Sequence, residues 1–502
     1  MPRLPIVPHA SCTPRPYLHA RALALAERLR TTYPDLIPRG LFRPLIPTTL
    51  DDAPALHLDD LSTITRISRF YDPSYLEDRA VFRAMPGDLV ASCAPGGEAF
   101  EAYVRDQLGL GTVTWYRPTP LSTSLGVATA CWADRGVRRD LIGAIRRGNL
   151  RYVHPHLGNA PAWTTALLLR NASRRPISVI GPHPGLTRRV NDKVWFAEVA
   201  RGLFGHAAVP PTAAAYNLAT VAMVVRSLCT TSRRIVFKLP SSAGGSGNLV
   251  VPSRELRGRS LGTLRSDIRN RLAELGWTGE GPLLVGAWET DVLQAPSTQL
   301  WIPPENVGLP VVEGVFQQLI EGDAGAFTGS RPADLPPDLT QAMVEQSWLL
   351  GRLFQRLGYV GRCSFDLLLV GRDLDNCRTE FIECNGRWGG TSGPMTLMNR
   401  LFGDWTCRPY ATNECEVAGL GALSFSDVLE AFGDDLYDAR TGTGSLIFYN
   451  PGALQSHQEI DVLVLDRSWE AAARRANRDI PRRLRALTRL DGARARRLAQ
   501  IG

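Results

Sequence analysis

Two apolar segments separated by a polar turn place the tightest limit on how this chain folds. They read CSFDLLLVG and TEFIECNGR, and the turn between them runs from Gly371 to Arg378. This pattern predicts an antiparallel hairpin. If the hairpin is symmetric about the turn, Asp366 lies opposite Glu383, with Cβ atoms about 5 Å apart. Asn385, two residues after Glu383, points to the same face of its strand as Glu383 does.

This pairing predicts a metal site formed by Asp366, Glu383 and Asn385. Two carboxylates and an amide oxygen are the oxygen ligands that Mg²⁺ takes when it also binds phosphates. A solvated strand face would explain a single acidic residue. Both carboxylates lie inside apolar stretches, however, and two facing like charges are unfavourable without a cation. Arg387 follows within GRWGGTSGP, where the glycines would let its guanidinium approach a transferring phosphoryl group closely.

A glycine-rich loop, SSAGGSGN, follows the predicted strand RRIVFKLP, which carries Lys238 near its end. Small residues let backbone N–H groups approach an anion, and a nearby lysine supplies a point charge. The loop matches neither the Walker pattern nor G-x-G-x-x-G. A phosphate site and a flexible hairpin connection are both compatible with it. The candidate ligand-contacting residues are Ser242, Gly244, Gly245, Ser246, Gly247 and Asn248.

Lysine usage sets two positions apart. Of the 57 basic residues only Lys193 and Lys238 are lysine, and all the others are arginine. A coding bias that replaces lysine wherever arginine will serve accounts for this skew. A compact ammonium kept at these two positions therefore points to a role that a guanidinium does not fill.

The net charge of +8 resides in the C-terminal tail, where 11 arginines follow residue 466. The rest of the chain is balanced and offers no broad phosphate-binding surface, so we predict no nucleic-acid binding. The nine cysteines include no C-x-x-C pair, which excludes a disulfide framework and a zinc site of the usual spacing. No apolar run approaches the roughly 18 residues of a membrane span, so we expect a cytoplasmic protein without membrane contact.

Short apolar stretches alternate with helical patterns over residues 61–180, which predicts an open α/β domain. Beyond it, NDKVWFAEVARGLFG predicts a helix whose first turn Asp192 can cap. Several strand patterns follow, and two more, GSLIFYNP and EIDVLVLD, precede a basic helix at the C-terminus.

The order of these features resembles the ATP-grasp superfamily of carboxylate–amine ligases. The shared elements are NDK with Lys193, Lys238 before a glycine-rich loop, Asp366, and the motif E-C-N-x-R. TQLWI, GVFQQLIEGDAGAFTGSRPA and FIECNGRWGGTSGP are similar to the pheganomycin-type peptide ligases of that superfamily. The resemblance covers about residues 181–400.

The resemblance implies an α/β fold in three parts. Residues 1–180 would form an N-terminal pre-ATP-grasp domain. Residues 181–410 would form the bipartite ATP-grasp domain, with a lid part at about 190–285 and a C-terminal lobe at about 286–410. Residues 411–502 would form a small α+β domain with the basic tail.

The resemblance also implies a reaction and its cofactors. ATP and two Mg²⁺ ions, with Mn²⁺ as a substitute, would serve to join a carboxylate to an amine through an acyl phosphate. The setting would be peptide or amino-acid secondary metabolism, and the enzyme a homodimer. Lys193 and Lys238 would contact the ATP phosphates under a lid formed by residues 242–248. Asp366, Glu383 and Asn385 would bind the metal, with Arg387 and Lys238 as the catalytic residues.

Three departures from the family pattern limit what the resemblance implies about substrates. Ser364 stands where many relatives have arginine, and Ser392-Gly393-Pro394 replaces T-H-P. Gly286 occupies the expected position of the acid that meets adenine or ribose, so Glu289 is the substitute candidate. An ester-forming or phosphorylating ATP-grasp enzyme and a catalytically silent ATP-binding protein are the alternatives.

Overall fold

The computed structural model describes residues 6–8, 16–64, 73–94, 97–119, 125–239, 247–321 and 326–499. Within these ranges the strands form four β-sheets, one parallel and three antiparallel, with helices between and around them. The predicted α/β class is confirmed. None of the helices in this part of the chain combines the length and apolarity required to cross a membrane.

The first sheet is parallel and lies near the N-terminus, where the sequence predicts an open α/β domain. Its strand order is β3-β2-β1-β4-β5, and a 3₁₀-helical segment, Pro73–Arg83, connects its first two strands. Asp134 caps the helix that begins at Arg135, because its side chain accepts hydrogen bonds from two N–H groups in the first turn of that helix. The strands are β1 (Ala55–Leu58), β2 (Leu89–Ala91), β3 (Thr114–Tyr116), β4 (Tyr152–Pro155) and β5 (Ser178–Val179). The helices are α1 (Pro16–Thr32), α2 (Glu98–Ala102), α3 (Val127–Ala133), α4 (Arg135–Arg147) and α5 (Ala160–Ser173).

The second sheet has four antiparallel strands in the order β6-β9-β7-β8. The predicted strand–loop–strand around Lys238 is confirmed, because β7 and β8 form a hairpin in which Lys238 pairs with Asn248. The strands are β6 (Thr212–Asn217), β7 (Arg234–Lys238), β8 (Asn248–Pro252) and β9 (Glu280–Ala287). The helices are α6 (Pro184–Val190), α7 (Lys193–Phe204), α8 (Leu218–Leu228), α9 (Ser253–Leu256) and α10 (Leu261–Glu274).

The third sheet is antiparallel and contains the predicted carboxylate hairpin. Its order is β10-β14-β11-β12-β13, and β15 also pairs with β14. Its apolar face packs against α7 and against the 20-residue helix Pro337–Arg356. The ring of Phe196 in α7 stacks on that of Phe365 in this sheet, with ring centres 5.7 Å apart. The strands are β10 (Val292–Gln294), β11 (Pro296–Ile302), β12 (Val311–Glu321), β13 (Ala326–Pro332), β14 (Gly361–Gly371) and β15 (Cys377–Asn385). The helices are α11 (Pro337–Arg356) and α12 (Ser392–Phe402).

The fourth sheet, in the order β16-β18-β17, lies against the edge of the third. The two sheets approach so closely at Gly329 that a Cβ atom there would overlap the Thr412 carbonyl group. The strands are β16 (Tyr410–Glu416), β17 (Leu446–Asn450) and β18 (Glu459–Leu465). The helices are α13 (Phe425–Phe432), α14 (Ala453–His457), α15 (Trp469–Arg474) and α16 (Ile480–Ala499).

Three buried histidines lie on or beside the parallel sheet. His57 Nε2 is 2.9 Å from Asp88 Oδ2, and His154 Nε2 accepts a hydrogen bond of 3.3 Å from the indole of Trp388. Burial lowers the pKa of His154 well below its usual value. Burial also lowers the pKa of His156 to about 4. These side chains are therefore neutral in the folded protein at pH values where they are protonated in the unfolded chain.

This difference predicts that stability falls on acidification. A histidine whose folded pKa is depressed binds a proton only in the unfolded state below about pH 6.5, so folding loses free energy as the pH drops. We expect His154→Gln to lessen the loss of unfolding free energy between pH 7 and pH 5 by about 2 kcal/mol. Urea unfolding at the two pH values measures this. The exposed His206 supplies the control, and His206→Gln should leave the pH dependence unchanged.

Candidate functional site

The hairpin of β14 and β15 places Asp366 opposite Glu383, as the sequence predicts. The observed pairing differs from that of a symmetric hairpin in one respect. From Gly371↔Cys377 to Leu367↔Phe381 the pairing is regular, and continued unchanged it would set Asp366 opposite Ile382. A β-bulge between Asp366 and Leu367 takes up the extra residue and restores the predicted pair.

Neutral donors surround the Asp366 carboxylate. Ser297 Oγ donates to Oδ1 at 2.7 Å, and Asn385 Nδ2 donates to Oδ2 at 2.9 Å. Gln299 Nε2 in turn donates to Ser297 Oγ at 3.0 Å. Burial and then the charge of Glu383 raise the pKa of Asp366 to about 6. The negative charge of Glu383 thus disfavours ionisation of Asp366, as expected for two facing carboxylates.

The charges of both lysines of the chain act on Glu383. Lys193 Nζ is 2.7 Å from Glu383 Oε2, and it begins α7, where Asp192 Oδ1 accepts from Val194 N at 2.8 Å as the predicted cap. Burial alone would raise the pKa of Glu383, but Lys193 lowers it overall. Lys238 is 9% exposed, and burial lowers its pKa to about 8 despite the opposing charge of Glu383. One ammonium group therefore contacts this carboxylate, and the charge of a second acts on it.

Arg387 lies just after β15 and is held by Asn191 at the end of α6. Arg387 Nη1 donates to Asn191 Oδ1 at 2.9 Å, and Gly386 N donates to the same oxygen at 3.0 Å. Asn191 is itself fixed by its bond to the Thr187 carbonyl group at 2.8 Å. The guanidinium is consequently positioned but retains further N–H donors for a ligand.

One cavity of about 250 Å³ joins these groups: Asp366, Glu383, Asn385 and Arg387 line it. Lys193 does not line the cavity but contacts Glu383, which does. Polar or charged residues that the sequence did not single out also line the cavity: Arg79, Ser297, Gln299, Gln318, Thr391 and Glu414. Polar residues at alternate positions in PSTQLWI could have indicated Ser297 and Gln299. Arg79 and Glu414 come from distant parts of the chain and have no such local signal.

The donor set at the hairpin fits a divalent cation. Two facing carboxylates, one with a raised pKa, gain from a positive charge between them. Within the described ranges no group of three or more His, Cys, Asp or Glu side chains is arranged to hold a metal. The protein supplies two carboxylates and an amide here, so other ligands must complete the coordination. Phosphate oxygens and water are the usual ones for Mg²⁺.

Some predicted positions lie outside this cluster. Ser242, Gly244, Gly245 and Ser246 lie outside the described residues. Gly247 and Asn248 close the hairpin beside Lys238, with Leu239 N donating to the Gly247 carbonyl group at 3.0 Å.

Glu289, the candidate adenine or ribose contact, lies just beyond β9 and pairs with Arg378 at 3.0 Å. Arg378 also contacts Glu380 at 2.7 Å. Glu289 is therefore beside the carboxylate hairpin, but it does not line the cavity.

Ser364, which stands where many relatives have arginine, lies on β14. Ser364 lines the cavity, whereas the arginine on this strand, Arg362, is buried and paired with Glu313. Its guanidinium lies 5.6 Å from the ring centre of Trp301 and 4.9 Å from that of Trp388. Arg362 therefore supports the cavity wall from behind and does not face a ligand.

No protein-family model and no curated protein sequence matches the chain. Among solved structures, the biotin carboxylase domain of Hydrogenobacter thermophilus 2-oxoglutarate carboxylase, with MgADP, ADP and bicarbonate, has 14% identity and a TM-score of 0.47. That match covers 84% of this chain and 87% of the other. N5-carboxyaminoimidazole synthetase from Staphylococcus aureus has 9% identity, a TM-score of 0.49, and coverage of 86% and 96%. Because these TM-scores lie below 0.5, the function is argued from the residues of this chain.

Proposed function

We propose that this protein is an ATP-grasp enzyme that uses ATP and Mg²⁺ to join a carboxylate to an amine. Two observations carry the proposal: Asp366, Glu383 and Arg387 line one cavity, and the Lys193 ammonium lies 2.7 Å from Glu383. The charge of Lys238 acts on the same carboxylate. Cations placed next to a pair of carboxylates suit a polyphosphate that arrives with divalent metal. The resemblance of the sequence motifs to the ATP-grasp superfamily supports the same function.

Each group has a role in this proposal. Lys193 and Lys238 bind phosphate oxygens of ATP, and Asp366, Glu383 and Asn385 would hold Mg²⁺. The metal, when bound, supplies positive charge that neutralises the phosphates and polarises the transferred group.

The proposed reaction has two steps. A carboxylate oxygen attacks the γ-phosphorus, the bond to the ADP oxygen breaks, and an acyl phosphate forms. The amine then attacks the acyl carbon, phosphate leaves with the C–O bonding electrons, and the nitrogen loses a proton. Arg387 binds the oxygen that gains negative charge in the second step. Formation of a peptide bond, as in the pheganomycin-type ligases, is the finer form of this proposal.

The test is an ADP-release screen of carboxylic acids, with hydroxylamine in place of the amine. We expect ADP and a hydroxamate in equal amounts with the correct acid, because hydroxylamine intercepts the acyl phosphate. ADP release without hydroxamate would favour a phosphorylating enzyme. ATP binding without ADP release from any acid would favour a catalytically silent protein.

Replacing Lys238 by arginine is expected to lower ADP release by about a hundredfold although the charge is kept. The side chain is 9% exposed at the end of β7, and a longer planar guanidinium does not fit the position of a compact ammonium. Steady-state kinetics at saturating acid measure the effect. Arg226→Lys, an exchange at an exposed helix position, should leave the rate unchanged. Equal rates for Lys238→Arg and the wild type would remove Lys238 from the phosphate site.

A further inference from the structure

A second cavity, which we call the junction cavity, lies between the 3₁₀-helical segment Pro73–Arg83 and the helices beside the fourth sheet. Its volume is about 480 Å³, within the range of roughly 300–1,000 Å³ that small-molecule sites occupy. Among the described residues it shares none with the cavity of the candidate functional site. Its lining includes Ser74, Tyr75 and Asp78 of the segment, Phe100 of α2, and Phe425 and Ser426 of α13.

The segment Pro73–Arg83 contributes to the walls of both cavities. A 3₁₀-helix repeats every three residues, so residues three positions apart share one side. Tyr75 and Asp78 lie on the side that lines the junction cavity. Leu76 and Arg79, one residue further along, lie on the side that lines the cavity of the candidate site. A ligand in the junction cavity would therefore contact the same short segment that carries Arg79.

This segment packs closely against the region of the fourth sheet. The rings of Tyr75 and His457, at the end of α14, have centres 4.3 Å apart. A Cβ atom at Gly452 would lie 2.4 Å from the Tyr75 carbonyl oxygen, so the two backbones are in contact there. Close-packed elements transmit a displacement because few voids can absorb it. A shift at Tyr75 is thus expected to reach Arg79 in the same segment.

Asp78 gives the junction cavity a buried acceptor. Its side chain is 0% exposed, and Oδ1 accepts a hydrogen bond of 2.5 Å from Arg117 Nη1. The second oxygen, Oδ2, has no hydrogen-bond partner among the described residues. A buried carboxylate oxygen without a donor is costly, so an N–H or O–H group of a ligand would gain free energy by donating to it. Arg117 also pairs with Glu101 at 3.1 Å, so one positive charge is shared by two carboxylates.

The rest of the lining suits an uncharged molecule with hydroxyl groups. Serine hydroxyls, one phenol and one amide supply donors and acceptors, and none of the described lining residues is arginine, lysine or histidine. Glu98 and Asp427, in the first turns of α2 and α13, add negative charge nearby. A phosphate or carboxylate group would therefore meet repulsion without a counter-charge. The half-buried ring of Phe425, edge-on to Phe100 with ring centres 5.7 Å apart, offers an apolar surface to a ring of the ligand.

We propose that the junction cavity binds an uncharged ring compound that carries hydroxyl groups, as nucleosides and sugar glycosides do, and that its occupation alters the candidate site through the segment Pro73–Arg83. An N–H or O–H group of the ligand donates to Asp78 Oδ2, and the ring packs on Phe425. The binding part of this inference stands independently of the proposed function. The effect on the candidate site rests on that function, because it is measured as ADP release.

Calorimetric titration of the full chain measures binding, with MgADP in excess to fill the proposed ATP site. The probes are uridine, cytidine and guanosine, their 5′-monophosphates, and the methyl glycosides of glucose and ribose. We expect at least one uncharged probe to bind, and the monophosphates to bind at least about tenfold more weakly than it does. Binding by nucleosides alone would show that the base is recognised, and equal binding by a glycoside would show that the sugar suffices. Both results support the site.

Three variants locate the bound probe. Ser426→Tyr, at an exposed position in the first turn of α13, narrows the cavity and should weaken binding at least about tenfold. Asp78→Asn keeps an oxygen for Arg117 but replaces the unpaired oxygen by a donor, and should weaken binding by about tenfold. Ser266→Tyr, at an exposed position of α10, is the matched control and should bind as the wild type does.

The probe that binds should also shift the acid concentration required for half-maximal ADP release by about fivefold, and Ser426→Tyr should abolish the shift. No binding by any uncharged probe, equally tight binding of the monophosphates, or binding unchanged in Ser426→Tyr would overturn the site. Binding with unaltered ADP release would overturn its coupling to the candidate site. Binding of a nucleoside to a chain that neither binds MgADP nor releases ADP would contradict the proposed function and leave the junction site standing.

Discussion

Replacing Glu383 by glutamine is expected to lower ADP release by about a thousandfold, the largest effect on activity that the site predicts. Glutamine keeps the size of the side chain, so the hairpin should form normally. The substitution removes the negative charge that pairs with Lys193 at 2.7 Å and faces Asp366 across the strands. A divalent cation would then have one carboxylate where the fold provides two.

The matched control is Asp375→Asn in the exposed turn of the same hairpin, which should retain full activity. The Mg²⁺ concentration required for half-maximal rate gives a second measurement, and it should rise sharply in Glu383→Gln. If Glu383→Gln turned over at the wild-type rate, neither the metal site nor the role of Lys193 beside it could be maintained.

Neutralising Glu313 is expected to lower the free energy of unfolding by about 3–5 kcal/mol, the largest effect on stability. Glu313 and Arg362 form an ion pair in which the residues are 0% and 3% exposed. In Glu313→Gln the Arg362 guanidinium stays buried between two tryptophan rings without a counter-charge. The cost comes from that unpaired charge. Urea unfolding followed by tryptophan fluorescence measures it.

A double variant tests this explanation. Arg362→Met with Glu313→Leu removes both charges and keeps apolar volume, so it should regain most of the lost stability. Asp51→Asn breaks the exposed pair with Arg151 and should cost no more than about 1 kcal/mol. Equal losses in the double and single variants would assign the cost to packing and not to the buried charge.

The carboxylate hairpin illustrates how far local pattern carries a prediction. Apolar alternation and a polar turn were sufficient to predict that Asp366 faces Glu383, and the structure has that pair. The bulge that permits it was not predictable, because an extra residue in one strand leaves the apolar pattern almost unchanged. The Asp192 cap and the strand before the glycine-rich loop were predictable for the same reason, since each depends on a few consecutive residues.

The two lysines show a different kind of sequence signal. Their rarity among 57 basic residues set Lys193 and Lys238 apart before any contact was known. Composition could not say that Lys193 would contact Glu383, or that the charge of Lys238 would act on the same carboxylate, which lies 145 or more positions further along the chain. That convergence requires three separate segments to be folded against one another.

The sequence by itself determined the α/β class, the local elements and the residue types able to hold metal and phosphate. These properties follow from short-range periodicity and from the chemistry of individual side chains. Only the tertiary structure decided that Arg79 and Glu414 share a cavity with the carboxylate hairpin, and that Arg362 is buried behind Trp388. The physical reason is that such contacts depend on how sheets pack together, and residues hundreds of positions apart leave no periodic trace of their meeting.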